Sequence, residues 1–281
     1  MSVMKTQPAF APLSHMGFLL VEGPQAESFL QGQLTIDIKK VSVDTLLFGG
    51  YCNLKGRLHS LFYVTRLNQE HPLFLLTLPL ENLSHLMTTL KKFALFSKVT
   101  IKEVTTDWRA YGLWHYSAES SLKIYPISQT RSLLIEPLSH QNNIESELKA
   151  VATVKSPQDW MTADIESQHP WILKGGEEIF LPHHVNLPQL GGVDFKKGCY
   201  VGQEIVARME YLGKHQRGLH TGKVSTCDLI LPGAPIHPGG TVVMSISLDS
   251  ETQAVLTTIP DATLSSTLKI YSETGPILSL N

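Results

Sequence analysis

Short apolar runs separated by turn residues fill the first half of the chain and predict a mixture of strands and helices. A helix is expected from about Gln25, because Ala26, Phe29 and Leu30 recur at helical spacing. A second helix is expected after Pro79, where apolar residues again recur every three or four positions. The remaining runs are of strand type. These predicted strands are residues 18–21, 45–52, 59–66, 73–78, 99–104 and 108–115.

A third helix has a clear predicted start. Ser156 supplies an N-cap hydroxyl, Pro157 follows at the first helical position, and Asp159 supplies an acid at the third. Trp160 lies on this helix. Because the strands occur in clusters and do not alternate strictly with helices, the pattern favours an α+β fold over a parallel doubly wound sheet.

The pattern changes from about Arg217 to the end of the chain. Short strands are separated there by turn-rich segments, and no helical periodicity is present. A small β-barrel fits this region, so we expect one domain over residues 1–212 and a second over residues 213–281. The strands predicted in the second domain are residues 219–224, 241–247, 253–258 and 267–271.

Composition restricts the possible functions. The 281 residues are 42% hydrophobic, and 23 basic against 25 acidic residues give a formal net charge of −2. A dedicated nucleic-acid-binding protein normally carries a basic excess, so no direct nucleic-acid binding is expected, although the balance leaves a local patch open. The apolar runs are too short to cross a bilayer, and three separated cysteines predict neither a disulfide framework nor a metal site. We therefore expect a cytoplasmic protein without membrane association.

The segment of residues 187–208 contains the densest group of unusual residues. Several glycines precede a predicted helix, and Cys199 lies just before that helix and just after Lys196 and Lys197. Helix N–H groups and nearby positive charge both stabilise a thiolate, so Cys199 is a candidate reactive thiol. A small buried hydrophobic role is the alternative for a lone cysteine. Glu204 and Arg208 are spaced to pair along the helix.

The octet 197–204, Lys-Gly-Cys-Tyr-Val-Gly-Gln-Glu, resembles the signature K-G-C-[FY]-x-G-Q-E of the YgfZ family. These folate-binding proteins are related to the aminomethyltransferase of glycine cleavage, and their eukaryotic relatives act in mitochondrial iron–sulfur assembly. Three further segments resemble the family in the expected order: residues 29–35, 51–57 and 90–99. The matched signature residues proposed to function together are Lys197, Gly198, Cys199, Tyr200, Gly202, Gln203 and Glu204.

The resemblance implies an aminomethyltransferase-like ring of three parts around a central folate site, with two interleaved α+β subdomains split near residues 45 and 106. It also implies a role in supporting iron–sulfur enzymes, one of them a tRNA-methylthiolating enzyme. The expected cofactor is tetrahydrofolate or another reduced folate, and the expected partners are iron–sulfur enzymes or assembly proteins. Trp160 matches one family folate contact. The second folate contact of the family is also a tryptophan, and this chain has Met16 at that position.

Other candidate residues have two interpretations. Lys55 and Arg57 form either a solvated hairpin turn or a basic loop facing the carboxylates of a folate tail. Trp160 is either a core anchor or a pterin contact. The adjacent pair His183 and His184 is weak evidence for a metal, and no bound metal is predicted.

Two functions remain open at this level. One is a folate-binding accessory protein that acts through Cys199, expected as a monomer and without independent turnover. The alternative is a folate-dependent one-carbon transferase. The related aminomethyltransferases carry paired aspartates just beyond the turn at Lys55, where this chain has Leu58, His59, Ser60 and Leu61. The missing carboxylates favour the accessory protein.

Overall fold

The computed structural model describes residues 7–116, 122–213 and 216–281. Five helices are described: α1 (Ala26–Gln33), α2 (Leu80–Ala94), α3 (Gln141–Val151), α4 (Pro157–Glu166) and α5 (Gln203–Leu212). The strands are β1 (Ala9–Pro12), β2 (Met16–Glu22), β3 (Leu47–Cys52), β4 (Leu58–Asn68), β5 (Leu73–Pro79), β6 (Thr100–Glu103), β7 (Trp108–Trp114), β8 (Ile124–Pro126), β9 (Arg131–Pro137), β10 (Thr153–Val154), β11 (Arg217–Ser225), β12 (Ile236–His237), β13 (Thr241–Ser247), β14 (Thr252–Pro260), β15 (Leu268–Ile270) and β16 (Ile277–Leu280).

Two five-stranded sheets share the first two thirds of the chain. Sheet A has the order β10-β1-β7-β9-β8, and sheet B has the order β3-β4-β5-β2-β6. The chain starts in sheet A, crosses to sheet B after residue 12 and returns to sheet A at residue 108. The pairing of β1 with β10 is parallel, whereas every pairing in sheet B is antiparallel. The predicted division into subdomains near residues 45 and 106 stays a prediction.

Sheet B is covered on one face by α1 and α2. Leu19 and Leu76 on that face pack against Leu30 of α1 and Leu83 and other leucines of α2 in one buried cluster. The opposite face of sheet B faces a second, larger core. Successive side chains of a strand point to opposite faces of the sheet, so strands that are buried on both sides contribute to both cores.

The C-terminal strands form a six-stranded antiparallel sheet in the order β12-β15-β16-β11-β14-β13. An isolated bridge between Pro235 and Thr241 joins its two edges, so the sheet closes into a small barrel. Val242 and Val255 point into the barrel interior, whereas the neighbouring Val243 and Leu256 pack outward. The barrel thus has a core of its own and one apolar outer surface.

The outward surface of the barrel completes a core that all three sheets share. Phe48 from sheet B, Trp114 from sheet A and Leu256 from the barrel belong to this cluster, together with Trp160 and Trp171. The α+β class with a C-terminal barrel is therefore confirmed.

The predicted helices begin at or within one residue of the predicted positions. The Ser156–Asp159 capping box is formed, with Ser156 N donating to Asp159 Oδ2 at 2.8 Å.

Candidate functional site

Three of the four sequence segments that resemble the family meet at the N-terminus of α5. Gly202 is the N-cap residue of α5 and has a φ of +80°. A Cβ atom at Gly202 would lie 2.4 Å from the carbonyl oxygen of Asn53, and one at Gly56 would lie 2.9 Å from the Cβ of Ile205. The turn of residues 53–56 therefore packs directly against the signature loop, which we define as residues 194–204. Both glycines are required by close approach and by positive φ.

Lys197 fixes the signature loop to the end of α1. Its ammonium group donates to the carbonyl oxygens of Gln31, Leu34 and Ile36 at 2.7, 2.6 and 2.8 Å, and the residue is 9% exposed. Burial lowers the pKa of Lys197 to about 8. All three ammonium protons are used by carbonyl oxygens at and just beyond the C-terminus of α1, so Lys197 donates none to the sulfur of Cys199.

Cys199 is exposed, whereas its neighbour Tyr200 is 7% exposed and packs under the Lys197 ammonium, which lies 5.1 Å from the ring centroid. Burial raises the pKa of the Tyr200 hydroxyl. Cys52 is buried, and burial raises the pKa of its thiol to about 12. The loop thus presents Cys199 to solvent and holds Tyr200 and Lys197 inside.

The other residues of the signature octet have less specific surroundings. Gly198 is exposed, a Cβ atom there would meet no other atom within 4 Å, and Gln203 begins α5. Glu204 and Arg208 are exposed, and they form no ion pair in the part of the chain that the structure describes. The predicted pairing of these two side chains along α5 is therefore wrong, because both are solvated and free to extend apart.

A cavity of about 770 Å³ lies where the end of sheet B, α4 and the barrel meet. Its lining is mostly apolar, with Glu81, Lys174 and Ser245 as polar members. The other lining residues are His15, Pro79, Leu80, Met161, Leu173, Gly175, Leu229, Ile230, Leu231 and Pro232. Both ring nitrogens of His15 are buried and have no hydrogen-bond partner among the described residues. Burial lowers the pKa of His15 to about 4, so its ring is neutral at pH 7.

The two predicted folate contacts are chain neighbours of residues that line the cavity, and neither lines it itself. Met16 and Trp160 belong to the same buried cluster, at 4% and 2% exposure, and their chain neighbours His15 and Met161 line the cavity. The indole of Trp160 lies 4.9 Å from the Trp114 ring and 4.9 Å from the Arg131 guanidinium carbon. Trp160 therefore has no exposed face for stacking and packs against sheet A.

A buried ion pair lies beside Trp160. Arg131 donates to Asp164 at 2.6 Å, and the indole N–H of Trp171 donates to the other carboxylate oxygen at 2.9 Å. Burial raises the pKa of Asp164, against the lowering effect of Arg131. Tyr63 and His169 share a hydrogen bond of 2.9 Å next to this pair, and burial lowers the pKa of His169 to about 3. No sequence pattern indicates this network, since Tyr63 and Arg131 lie far along the chain from Asp164 and His169.

The predicted basic loop is exposed and does not line the cavity. Lys55 extends from the turn of residues 53–56, and the Arg57 guanidinium donates to the carbonyl oxygen of Ile179. His59, at the position of the transferase aspartates, does not line the cavity either. Its ring stacks on His85 with a centroid separation of 4.0 Å and lies 3.7 Å from a Glu178 carboxylate oxygen.

Across the described residues, no group of three or more histidine, cysteine, aspartate or glutamate side chains is arranged to hold a metal ion. His183 contacts Glu210 at 3.0 Å, and the ring of His184 lies 3.4 Å from the N–H of Leu181. None of the described helices is long and apolar enough to cross a membrane.

The chain is similar to proteins named tRNA-modifying protein YgfZ. The Colwellia psychrerythraea protein is 30% identical over 227 residues, which cover 74% of this chain and 69% of that one. The Edwardsiella ictaluri protein is 33% identical over 224 residues, which cover 71% and 66% of the two chains. The chain belongs to the YgfZ family. No family model matches it.

An enzyme of the glycine cleavage system has the same fold as this YgfZ-family chain. An aminomethyltransferase of that system from Bartonella henselae superposes with a TM-score of 0.69 at 16% identity, over 98% of this chain and 85% of the other. The resemblance carried by the octet 197–204 and the aminomethyltransferase-like fold are therefore confirmed. At this identity the likeness shows the fold and leaves the reaction to be argued from the site.

Proposed function

We propose that this protein is a folate-binding accessory protein of the cytoplasm that supports enzymes of tRNA modification. The observation that carries the proposal is the cavity of about 770 Å³ between the end of sheet B, α4 and the barrel. Its volume lies in the range of small-molecule sites, and an apolar lining with few polar groups is typical of sites for flat heterocycles. The name of its relatives supports the link to tRNA modification.

The cavity fits a reduced folate by the chemistry of its lining. Met161, Leu173 and Leu231 offer apolar contacts to the faces of a pterin, while the Glu81 carboxylate can accept from its amino group and Lys174 can bind a glutamate carboxylate. Bound folate would supply a one-carbon carrier, and these residues would hold and orient it.

Calorimetric titration with 5-formyltetrahydrofolate tests the folate site. Met161→Trp should abolish binding by filling the cavity. Trp160→Phe should weaken it several-fold by loosening the packing of α4, which carries Met161, against sheet A. Met209→Trp on α5, outside the lining, is the matched control and should bind as the unmodified protein does. Absence of saturable binding to the unmodified protein would end the proposal, and normal binding to Met161→Trp would remove this cavity from it.

We further propose that Cys199 acts on iron–sulfur partner enzymes, among them a tRNA-methylthiolating enzyme. Its exposure on a loop that Lys197 and Gly202 hold in place supports this role, because a thiol that reacts with a partner must be both accessible and positioned. The transferase alternative is not favoured. The position of the transferase aspartates holds His59, whose ring lies among His85 and Glu178 and does not line the cavity.

A further inference from the structure

The end of α2 and the loop that follows it, residues 91–98, expose apolar side chains unusually strongly. Phe93 is 48% exposed, Leu95 76% and Phe96 100%. Large aromatic side chains dominate the energetics of binding surfaces when they are buried by a ligand. We name residues 91–98 the Phe96 segment.

Lysines surround these apolar residues without compensating acids. Lys91, Lys92 and Lys98 are exposed, and none forms an ion pair with a described residue. The stretch of residues 82–102 contains no aspartate or glutamate, and only Lys102 within it pairs with a carboxylate among the described residues, that of Glu22 at 2.6 Å. The overall charge of −2 therefore hides a local positive surface.

Hydrogen bonds and close packing at Ser97 and Lys98 hold the Phe96 segment in its exposed conformation. Lys98 N donates to the side-chain oxygen of Gln25 at 2.7 Å, and Ser97 N donates to the Ala94 carbonyl at 2.9 Å. Gly23 has a φ of +124°, and a Cβ there would lie 2.4 Å from the Lys98 carbonyl oxygen. Because these contacts fix both ends of the loop, Phe96 is presented to solvent at little further entropic cost on binding.

We propose that the Phe96 segment binds single-stranded or looped RNA, with Phe96 and Phe93 stacking on bases and the three lysines contacting phosphates. Aromatic side chains interleaved with cations are the usual components of such sites, since every base has a stacking face and every nucleotide a negative charge. The same chemistry can meet an anionic lipid surface. The choice of RNA rests on the proposed link to tRNA modification and is independent of the folate site.

Fluorescence anisotropy with a fluorescein-labelled 12-nucleotide oligouridylate tests the proposal. The unmodified protein should bind it saturably at 50 mM salt, with affinity that falls as salt rises. The triple variant Lys91→Ala, Lys92→Ala, Lys98→Ala should make the negative slope of log K against log salt shallower by about 2. Phe96→Ala should bind about tenfold more weakly, and Phe96→Trp should retain binding.

Lys39→Ala, Lys149→Ala, Lys223→Ala is the charge-matched control and should keep the slope of the unmodified protein. Titration of each variant with 5-formyltetrahydrofolate separates the RNA-binding proposal from the folate proposal. RNA binding without folate binding would contradict only the folate site. Absence of oligouridylate binding overturns the inference. Binding to vesicles of phosphatidylglycerol but not to RNA also overturns it and assigns the segment to a lipid surface.

Discussion

Lys197 shows how one residue of the signature octet organises its surroundings. Its ammonium replaces solvent for three carbonyl oxygens at the end of α1, including that of Leu34 at 2.6 Å. Lys197→Met should therefore lower the free energy of unfolding by about 3 kcal/mol, because buried acceptors lose their donor. Lys196→Met, at the exposed neighbouring position, is the control and should change it by less than about 0.5 kcal/mol. Equal effects in urea denaturation would contradict the anchoring role.

Cys199 and Cys227 offer an internal comparison, because both are exposed. We expect Cys199 in the Cys227→Ser variant to react with iodoacetamide several-fold faster at pH 7 than Cys227 does in Cys199→Ser. The reason is that Cys199 follows Lys196 and Lys197 and precedes α5 along the chain, whereas Cys227 is followed by Asp228. Cys52 should stay unreactive in the folded protein, since burial raises the pKa of its thiol to about 12. Mass spectrometry over time measures both rates. A slower Cys199 would defeat the reactive-thiol proposal.

Among the contacts between elements, the buried pair Arg131–Asp164 joins α4 to sheet A. Arg131→Met should destabilise the protein by about 3–5 kcal/mol, because it leaves the Asp164 charge buried without its partner. Arg131→Met with Asp164→Leu should recover much of that loss, since it removes both charges together. Urea denaturation of the single and double variants measures this coupling. A double variant as unstable as the single one would show that the pair itself supplies the stability.

The elements that can be predicted from sequence are those in which apolar residues recur at regular spacing. The helices α1, α2, α4 and α5 and the strands of sheet B have regular apolar spacing, and their prediction is correct. The helix α3 is not predicted, because it buries only Ile144 and Leu148. The strand β1 is not predicted either, and its partner β7 lies about a hundred residues away along the chain. The strand β9 pairs with β7 across a connection without a strong turn signal. A strand that owes its existence to a distant partner has little local signature.

The candidate site divides in the same way. The signature loop is recognisable because its residues are adjacent, and Cys199 lies just before α5, as its position in the sequence predicts. The cavity has no such signature, because residues as distant as His15, Met161 and Leu231 meet only after the sheets and the barrel pack. Lys55 and Arg57 are predicted at the folate site, but the lining does not include them.

For the molecule as a whole, buried neutral histidines make stability depend on pH. The pKa of His169 is about 3 in the folded protein and near 6.5 when unfolded, and those of His15 and His184 fall to about 4. Below pH 6.5 the unfolded chain therefore binds more protons. His169 alone should lower the free energy of unfolding by about 1.4 kcal/mol for each pH unit between 6.5 and 3.

Protonation of Asp164, whose pKa burial raises, opposes this loss and makes the net slope smaller than the histidines alone would give. His169→Gln removes one titrating group and can keep the hydrogen bond to Tyr63. Urea denaturation at pH 7, 6 and 5 should show a shallower decline for this variant. An unchanged slope would mean that His169 binds protons equally in the folded and unfolded protein, which contradicts its lowered pKa.

The proposed function depends above all on a reduced folate in the cavity between the end of sheet B, α4 and the barrel. A crystal structure of the protein with saturating 5-formyltetrahydrofolate shows where the ligand binds. We expect pterin density inside the cavity, in contact with Met161 and Leu231, and a glutamate tail directed toward Lys174. Folate density elsewhere, for example in the smaller cavity of about 280 Å³ beside Phe48 and His169, or a cavity without folate, would refute the proposed site.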